Sequence, residues 1–220
     1  MYFNLKSLLL PFVLFFFSSF NNIVSGQTDW KLRTEKEGIK IYSSEVSYSK
    51  VKALKVECNF KATSSQLIAV LLDIKNSPKW VYHTLSANLI KQVSPSELYY
   101  YSEVNLPWPV ENRDFVAHLV VTQNKDTKVV TMDGPAIPGY IAIKEGVVRI
   151  EKSRGQWVIA PVAKNEIKVT YTLQVDPGGL LPPWLVNLLA TEGPLQTFRS
   201  LKIQLENPVY ANKKFEFISE

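Results

Sequence analysis

An α+β fold, in which a curved antiparallel sheet wraps around a long C-terminal helix, is predicted by two features of this sequence. Strand-like segments follow one another from residue 85 to residue 175, and residues 176–207 then carry a turn followed by one long helical pattern. Helices gathered on one face of an antiparallel sheet are typical of this class. A strongly curved sheet that grips one helix can leave an internal hydrophobic tunnel, which is a favoured place for a ligand.

The composition indicates one domain with a substantial core. The chain has 220 residues, of which 46% are hydrophobic and 12% aromatic. Its net charge of +5 is scattered, and Lys213-Lys214 is the longest basic run. Nucleic acid is therefore not indicated as a partner, and a weak, transient attraction to anionic membrane surfaces is the most that this charge supports.

The first 26 residues, 1–26, are predicted to be a secretory signal peptide. Lys6 supplies the positive charge, residues 8–17 the apolar run, and Val24-Ser25-Gly26 a small-residue cleavage site before Gln27. A retained membrane anchor is the alternative, but the apolar run is shorter than the roughly 20 residues that a span needs. We therefore expect export to the periplasm or the medium, with a mature domain over residues 27–212 and a tail over 213–220.

Two strands are predicted at the start of the mature chain. Glu37-Gly38 is a turn signal, and the alternation at Ile39 and Ile41 after it is typical of a strand. The second strand has apolar residues at every other position, namely Leu54, Val56, Cys58 and Phe60. Cys58 is the single cysteine of the chain, so it is interpreted as a core residue and no internal disulfide can form.

A capping box predicts a short helix after these strands. Thr63 and Gln66 have the spacing of such a box. Apolar residues follow at helical intervals, at Leu67, Val70, Leu71 and Ile74. The helix is predicted to end before Pro78.

Seven further strands are predicted from alternating apolar and polar residues. They span residues 88–93, 98–104, 115–121, 128–132, 147–152, 157–159 and 167–175. Turn residues separate them at positions 124–126, 138–139, 154–155 and 164–165. The succession of short connections favours one large antiparallel sheet.

The C-terminal helix is predicted to start at Pro182-Pro183, after the turn formed by residues 176–179. Its apolar stripes are Trp184, Leu185, Leu188 and Leu189, then Leu195, Phe198, Leu201 and Leu205. Gly193-Pro194 lies between the stripes and is predicted to kink or break the helix. A helix that simply covers the sheet is the alternative to one that closes a ligand site.

Two segments resemble a known family. Residues 101–116, YSEVNLPWPVENRDFV, are similar to a strand-loop-strand signature of START domains, the steroidogenic-acute-regulatory-protein-related lipid-transfer family. Residues 176–187, DPGGLLPPWLVN, are similar to the entry of that family's last helix, and the nearest pattern is that of its phosphatidylcholine transfer protein-like members. The resemblance implies a helix-grip fold and a lipid carrier without a cofactor, gated by the C-terminal helix and the 105–112 loop.

The resemblance also implies site residues. The tunnel is expected to be lined by Tyr99, Tyr101, Phe115, Ala117, Leu119, Tyr171, Leu173, Trp184, Leu188, Leu195 and Phe198. Trp108 suits a gate, either at a boundary between apolar and wet surroundings or buried in a rigid turn. Glu103, Arg113 and Asp114 are expected to tie that loop to the sheet by ion pairing more than to touch the ligand.

The expected ligand is a lipid: a neutral lipid, a sterol-like molecule or a phospholipid. Sterol-handling members of the family carry a buried acid and a buried arginine at positions that fall here at Tyr99 and Leu119. Without that charged pair the tunnel would have no fixed charge, which favours a neutral or weakly polar lipid. The protein is expected to be a monomer.

Two other functions stay open at this point. A cyclase or aromatase of the wider superfamily would use His118 with Asp114 or Glu103 as its acid-base group. By strand alternation, however, His118 lies on the face opposite Arg113 and Phe115. Two histidines and one cysteine without clustered spacing argue against a metal site. A ligand-free structural domain is the other alternative, and bulky residues filling the tunnel would indicate it.

Overall fold

The structure is a computed structural model that describes residues 29–45 and 52–220. The predicted signal peptide, residues 1–26, lies outside these ranges. In the described part, no helix is both long enough and apolar enough to cross a membrane.

The described residues form ten strands and three α-helices. The strands are β1 (Lys31–Lys36), β2 (Ile39–Ser44), β3 (Ala53–Phe60), β4 (Thr84–Ser94), β5 (Glu97–Val104), β6 (Asn112–Gln123), β7 (Val130–Pro135), β8 (Val147–Arg149), β9 (Lys152–Ala163) and β10 (Glu166–Asp176). The helices are α1 (Ser64–Leu72), α2 (Pro183–Leu205) and α3 (Pro208–Ala211), and a 3₁₀ helix spans Ile74–Lys79.

All ten strands belong to one sheet, with the order β1-β2-β3-β10-β9-β7-β6-β5-β4. Neighbours along this path are antiparallel, whereas β8 lies off it and pairs in parallel with the start of β6. The last strand, β10, returns to the middle of the sheet between β3 and β9. The predicted α+β class and the large curved antiparallel sheet with its C-terminal helix are therefore confirmed.

One predicted turn is wrong. Arg154-Gly155 lies inside β9, which runs unbroken for 12 residues. Gly155 pairs with Leu173 of β10 on one side and with Gly134 of β7 on the other. Because β9 is hydrogen-bonded along both edges, the sheet overrides the local turn preference of an Arg-Gly pair.

Helix α1 begins where the capping box predicts, but the box is only half formed. The Thr63 hydroxyl accepts a hydrogen bond from the Gln66 backbone N–H at 3.1 Å. The Gln66 side chain instead donates to the Leu205 carbonyl at 2.6 Å, which ties α1 to the end of α2. The Glu220 carboxylate accepts from the N–H groups of Ser64 and Ser65, at 3.1 and 2.9 Å.

Helix α2 starts at Pro183 as predicted and continues for 23 residues, so of the predicted kink or break at Gly193-Pro194 the break is wrong. Gly193 allows a close approach of α2 to Tyr82, because a Cβ there would lie 3.3 Å from the Tyr82 ring. Leu195 and Phe198, just beyond the proline, are each 1% exposed. Tertiary packing of this half therefore holds the helix together across a proline that removes one backbone hydrogen bond.

The C-terminal residues 213–220 lie against the domain. Ile218 is buried, and Phe215 and Phe217 pack on the core. The Ser219 N–H donates to the Gln123 side chain at 2.9 Å. This segment contributes to the folded unit through both apolar and polar contacts.

Candidate functional site

A cavity of about 340 Å³ lies between α2 and the sheet. Its walls come from β3, β5, β6, β7, β9 and β10, from the 3₁₀ helix and from one side of α2. Most of the lining is apolar, and seven aromatic side chains contribute to it: Trp80, Tyr82, Tyr100, Phe115, Trp157, Tyr171 and Phe198. The volume is at the lower end of the range for small-molecule sites.

Strand alternation decides which residues of β5 face the cavity. Tyr100, Ser102 and Val104 line it. The predictions for Tyr99 and Tyr101 are therefore wrong, since side chains one position away in a strand point to the opposite face. The sequence pattern could not fix this register, because residues 99–101 are three consecutive tyrosines.

Five of the predicted lining residues do line the cavity: Phe115, Leu119, Tyr171, Leu173 and Phe198. Ala117 is 2% exposed and bridges to Ala136 instead of contributing to the cavity wall. Leu119, two residues further along β6 and on the same face, pairs with Leu98 of β5.

Helix α2 presents a different stripe to the cavity from the one predicted. Trp184, Leu188 and Leu195 do not line it, since Trp184 is exposed and Leu195 is buried in the core. The α2 residues that line the cavity follow helical spacing: Val186, Leu189, Ala190, Gly193, Pro194, Thr197 and Phe198. Of the predicted stripes, only Leu189 and Phe198 are among them, and most of the other apolar residues of the helix pack in the core.

An aromatic cluster forms one wall of the cavity. The Trp157 ring lies 4.4 Å from that of Tyr171 and 5.5 Å from that of Phe198, centroid to centroid. Burial raises the pKa of Tyr171 to about 12. Burial also raises the pKa of Tyr100, and the neighbouring Tyr171 adds to that shift. Both phenols therefore stay neutral and can donate a hydrogen bond inside the cavity.

Arg113 places a positive charge in the cavity wall. The side chain lines the cavity and is 4% exposed. It donates from Nε to the Pro177 carbonyl at 3.4 Å, from Nη2 to that of Gly178 at 3.3 Å, and from Nη1 to that of Glu111. Burial lowers the pKa of the guanidinium, which the Glu111 carboxylate partly opposes. The expectation of a tunnel without a fixed charge is therefore wrong.

The turn that receives Arg113 depends on two glycines. Gly178 and Gly179 have φ values of +67° and +62°, in the left-handed region that favours glycine. A Cβ at Gly178 would also lie 3.2 Å from the Val148 side chain. The Asp176-Pro177-Gly178-Gly179 sequence thus brings two carbonyls to one guanidinium.

The other predicted tie residues lie on the opposite face of the sheet and pair with residues that the sequence did not indicate. Arg149 donates to the Asp114 carboxylate at 2.6 and 3.1 Å. Lys144 lies 2.7 Å from Glu103, whose other oxygen accepts from Asn112 at 3.0 Å. The Lys144 hydrogen bond, then that of Asn112, holds the pKa of the Glu103 carboxyl below its usual value.

The candidate acid-base residue His118 also lies outside the cavity. Its Nε2 is 2.7 Å from the Glu97 carboxylate, and its ring stacks on Tyr99 at 4.3 Å. The residues described as lining the cavity include no histidine, cysteine or carboxylate. Among residues 29–45 and 52–220, no group of histidines, cysteines and carboxylates could hold a metal.

Cys58 is buried, and burial raises its pKa to about 12, so it stays a thiol.

Four large apolar side chains are exposed on segments that meet at one end of the cavity. Trp108 of the 105–112 loop is 91% exposed, Leu180 87%, Ile143 71% and Trp184 54%. Trp108 is therefore not a buried residue of a rigid turn. Arg113 connects the 105–112 loop to the turn before α2, and Arg149 connects residues 141–142 to β6. We call this end, where Leu106, Arg113, Pro177 and Leu181 line the cavity, the loop end.

Comparisons with known proteins agree with this architecture. The chain is 34% identical over 178 residues to an uncharacterized Pseudomonas aeruginosa protein, covering 81% of this chain and 87% of that one. It is 28% identical over 173 residues to mouse phosphatidylcholine transfer protein, covering 75% and 78%. The solved structure of a STAR-related lipid transfer protein from Xanthomonas axonopodis superposes with a TM-score of 0.74 at 32% identity, covering 81% of this chain and 99% of that one.

The human STARD10 structure shares the fold, with a TM-score of 0.69. Its sequence identity is 22%, and the match covers 82% of this chain and 75% of that one. The model of the START domain family matches residues 18–208. On this match, together with the sheet order and the long helix α2, the chain belongs to the START domain family.

Proposed function

We propose that this protein binds a lipid in the cavity beneath α2 and carries or presents it to a membrane. The observation that supports this most directly is an apolar cavity of about 340 Å³ in a domain of a family that includes lipid transfer proteins. A close-packed domain rarely retains empty space of this size. The space therefore favours a ligand carrier over a ligand-free structural domain.

The gate consists of the first half of α2 and the 105–112 loop. Val186 and Leu189 of α2 and Leu106 of the loop each contribute to the cavity wall. A lipid can enter only if part of this wall moves, because side chains in a packed domain leave no path for an acyl chain. The exposed Trp184 and Trp108 lie in these same two segments, where movement is least opposed by burial.

The loop end docks on the lipid bilayer. Trp108, Ile143, Leu180 and Trp184 expose apolar surface around the proposed entrance. An exposed apolar patch beside a ligand site marks an interaction surface, and tryptophan suits the boundary between acyl chains and headgroups. The net charge of +5, which becomes +4 when residues 1–26 with Lys6 are removed, adds a weak attraction to anionic lipids.

Acid-base catalysis is the weaker proposal. His118, Glu103 and Asp114 lie on the sheet face opposite the lining residues Tyr100, Ser102, Arg113 and Phe115. A general acid or base must reach the reacting atom, within about 2.6–3.2 Å or through one water. The lining offers phenols with raised pKa values in place of a histidine or carboxylate.

The domain acts outside the cytoplasm, after removal of residues 1–26. This part of the proposal rests on the Lys6, apolar-run and Val24-Ser25-Gly26 pattern of the sequence. N-terminal sequencing of the protein from fractionated cells tests it. A product that starts near Gln27 supports export, whereas an intact Met1 on a membrane-embedded species contradicts it.

Mass spectrometry of organic extracts from the purified protein tests the central proposal. A carrier should release lipid in roughly stoichiometric amount, and the delipidated protein should move a fluorescent lipid between donor and acceptor vesicles. A protein that carries no lipid and transfers none is a scaffold. One that converts an aromatic or polyketide substrate, and loses that rate selectively on His118→Ala, is an enzyme.

A further inference from the structure

Two cations line the cavity, and they differ in their surroundings. Lys52 is exposed, and its Nζ lies 3.1 Å from the Glu45 carboxylate. Arg113 is 4% exposed, and among residues 29–45 and 52–220 it forms no salt bridge, although the Glu111 carboxylate still attracts its charge. The charge of Arg113 is therefore only partly compensated by the described part of the protein.

The hydrogen bonds of Arg113 leave part of its guanidinium available. A guanidinium has five N–H donors. In the described residues, one donor each from Nε, Nη1 and Nη2 bonds to the Pro177, Glu111 and Gly178 carbonyls. All three acceptors are neutral, and two donors are left without an acceptor among the described residues. A buried cation in this state favours an added anion.

We propose that Arg113 binds the oxyanion of an amphiphilic lipid, a carboxylate or a phosphate, so that the natural ligand is an anionic lipid. This deepens the proposed function and rests on it. A guanidinium matches the geometry of carboxylate and phosphate groups and forms charge-assisted hydrogen bonds with them. A neutral lipid would satisfy the free donors but would leave Arg113 without a salt bridge.

The position of Arg113 orients the lipid. Arg113 is the second residue of β6, at the loop end, and Leu119 lines the same cavity six residues further along the strand. At about 3.3 Å per residue, these positions are roughly 20 Å apart, which is long enough for an extended acyl chain. The apolar tail then lies towards Trp157, Tyr171 and Phe198, and the headgroup enters last and leaves first.

Displacement of Nile red, a neutral dye, from the delipidated wild-type protein tests this. Two lipid pairs isolate the oxyanion: oleate against oleyl alcohol, and dioleoyl phosphatidate against dioleoylglycerol. We expect the anionic member of at least one pair to compete at least 10-fold more strongly than its neutral partner. The pair that shows the larger difference distinguishes a free fatty acid from a phospholipid.

Arg113→Gln should remove this preference, measured within the variant as the ratio of competition by the anionic lipid to competition by its neutral partner. The matched control is Arg154→Gln, which removes the same charge from an exposed side chain outside the cavity lining and should keep the full preference. Equal competition by anionic and neutral lipids in the wild-type protein overturns the proposal and leaves lipid binding intact. Failure of all four lipids to displace the dye overturns the proposed function itself. If Arg113→Gln does not fold, the comparison of anionic and neutral lipids in the wild-type protein tests the proposal without the variant.

Discussion

The guanidinium of Arg149 lies 2.6 Å from the carboxylate of Asp114, and both side chains are almost fully buried on the sheet face opposite the cavity. The two residues are also direct neighbours across the parallel pairing of β8 and β6. Arg149 further donates to the carbonyls of Ile141 and Ala142. One ion pair therefore fixes the β7–β8 connection to the strand that carries Arg113.

Asp114→Asn should destabilise the fold by about 3–5 kcal/mol. The amide keeps the shape of the carboxylate but leaves the Arg149 charge buried without an anion. Urea unfolding followed by circular dichroism measures the loss. The matched control is Asp133→Asn, which breaks the exposed pair with Arg154 and should cost about 0–1 kcal/mol. Equal losses in the two variants would show that burial does not set the strength of the Asp114 pair.

Ala190→Trp should block lipid uptake without unfolding the protein. Ala190 lines the cavity, so the added indole occupies the space proposed for the ligand. Its effect on the free energy of unfolding should stay below about 1 kcal/mol, because the volume is added to a cavity and not to a packed core. Leu188→Trp, on the same helix but outside the lining, should transfer lipid at the wild-type rate.

These two α2 variants separate a ligand site from ordinary core. Transfer of a fluorescent lipid between vesicles gives the rate, and thermal unfolding gives the stability. Normal transfer by folded Ala190→Trp would mean that the ligand lies elsewhere. Loss of transfer in both variants would point to a general requirement of α2 instead of a filled cavity.

Stability should depend on pH through Glu103. Its pKa is lowered in the folded protein by Lys144 and Asn112. The stabilisation is therefore fully present above the unfolded pKa of about 4.3 and is lost as the pH falls through the lower folded pKa. The difference in unfolding free energy between wild type and Glu103→Gln should be largest near neutral pH and shrink below about pH 4. A difference that is constant from pH 7 to pH 3 would rule out this linkage.

Trp108→Ala should weaken binding to anionic vesicles by about 10-fold, and Leu180→Ala should have a smaller effect in the same direction. Each loses apolar surface that is 91% and 87% exposed in the free protein, and transferring such surface to the bilayer contributes about 1–2 kcal/mol. Val209→Ala is the control, since Val209 is 57% exposed but lies on α3 beyond the far end of α2. Cosedimentation with vesicles measures binding. Equal binding by all three variants would place the docking surface elsewhere.

The sequence predicts the order of elements well because each carries a strong local signal. The Glu37-Gly38 turn, the Thr63 cap and the Pro183 start of α2 all occur where local residue preferences place them. Prediction from the sequence fails where contacts between residues distant in the chain determine the local structure. Arg154-Gly155 resembles a turn, yet two neighbouring strands hold it in β9.

The candidate site is less predictable for the same reason. Choosing Tyr100 over Tyr99 as a lining residue requires the register of β5 to within one residue. Because residues 99–101 are all tyrosines, they show no alternation of apolar and polar residues from which that register could be predicted. The partners of Asp114 and Glu103 lie 35 and 41 positions along the chain, where no local pattern indicates them. On α2 most apolar residues pack in the core and only Leu189 and Phe198 of the predicted stripes line the cavity, so hydrophobicity alone does not identify the cavity face.

The hydrogen bonds of Arg113 have a kinetic consequence. One guanidinium holds the Glu111 carbonyl of the 105–112 loop together with the Pro177 and Gly178 carbonyls that lead into α2. Displacing either segment breaks bonds that also restrain the other, so their opening is a cooperative event with a shared barrier. Lipid exchange should then follow a single exponential, and substitutions in the loop and in the turn should change the same rate constant by non-additive amounts.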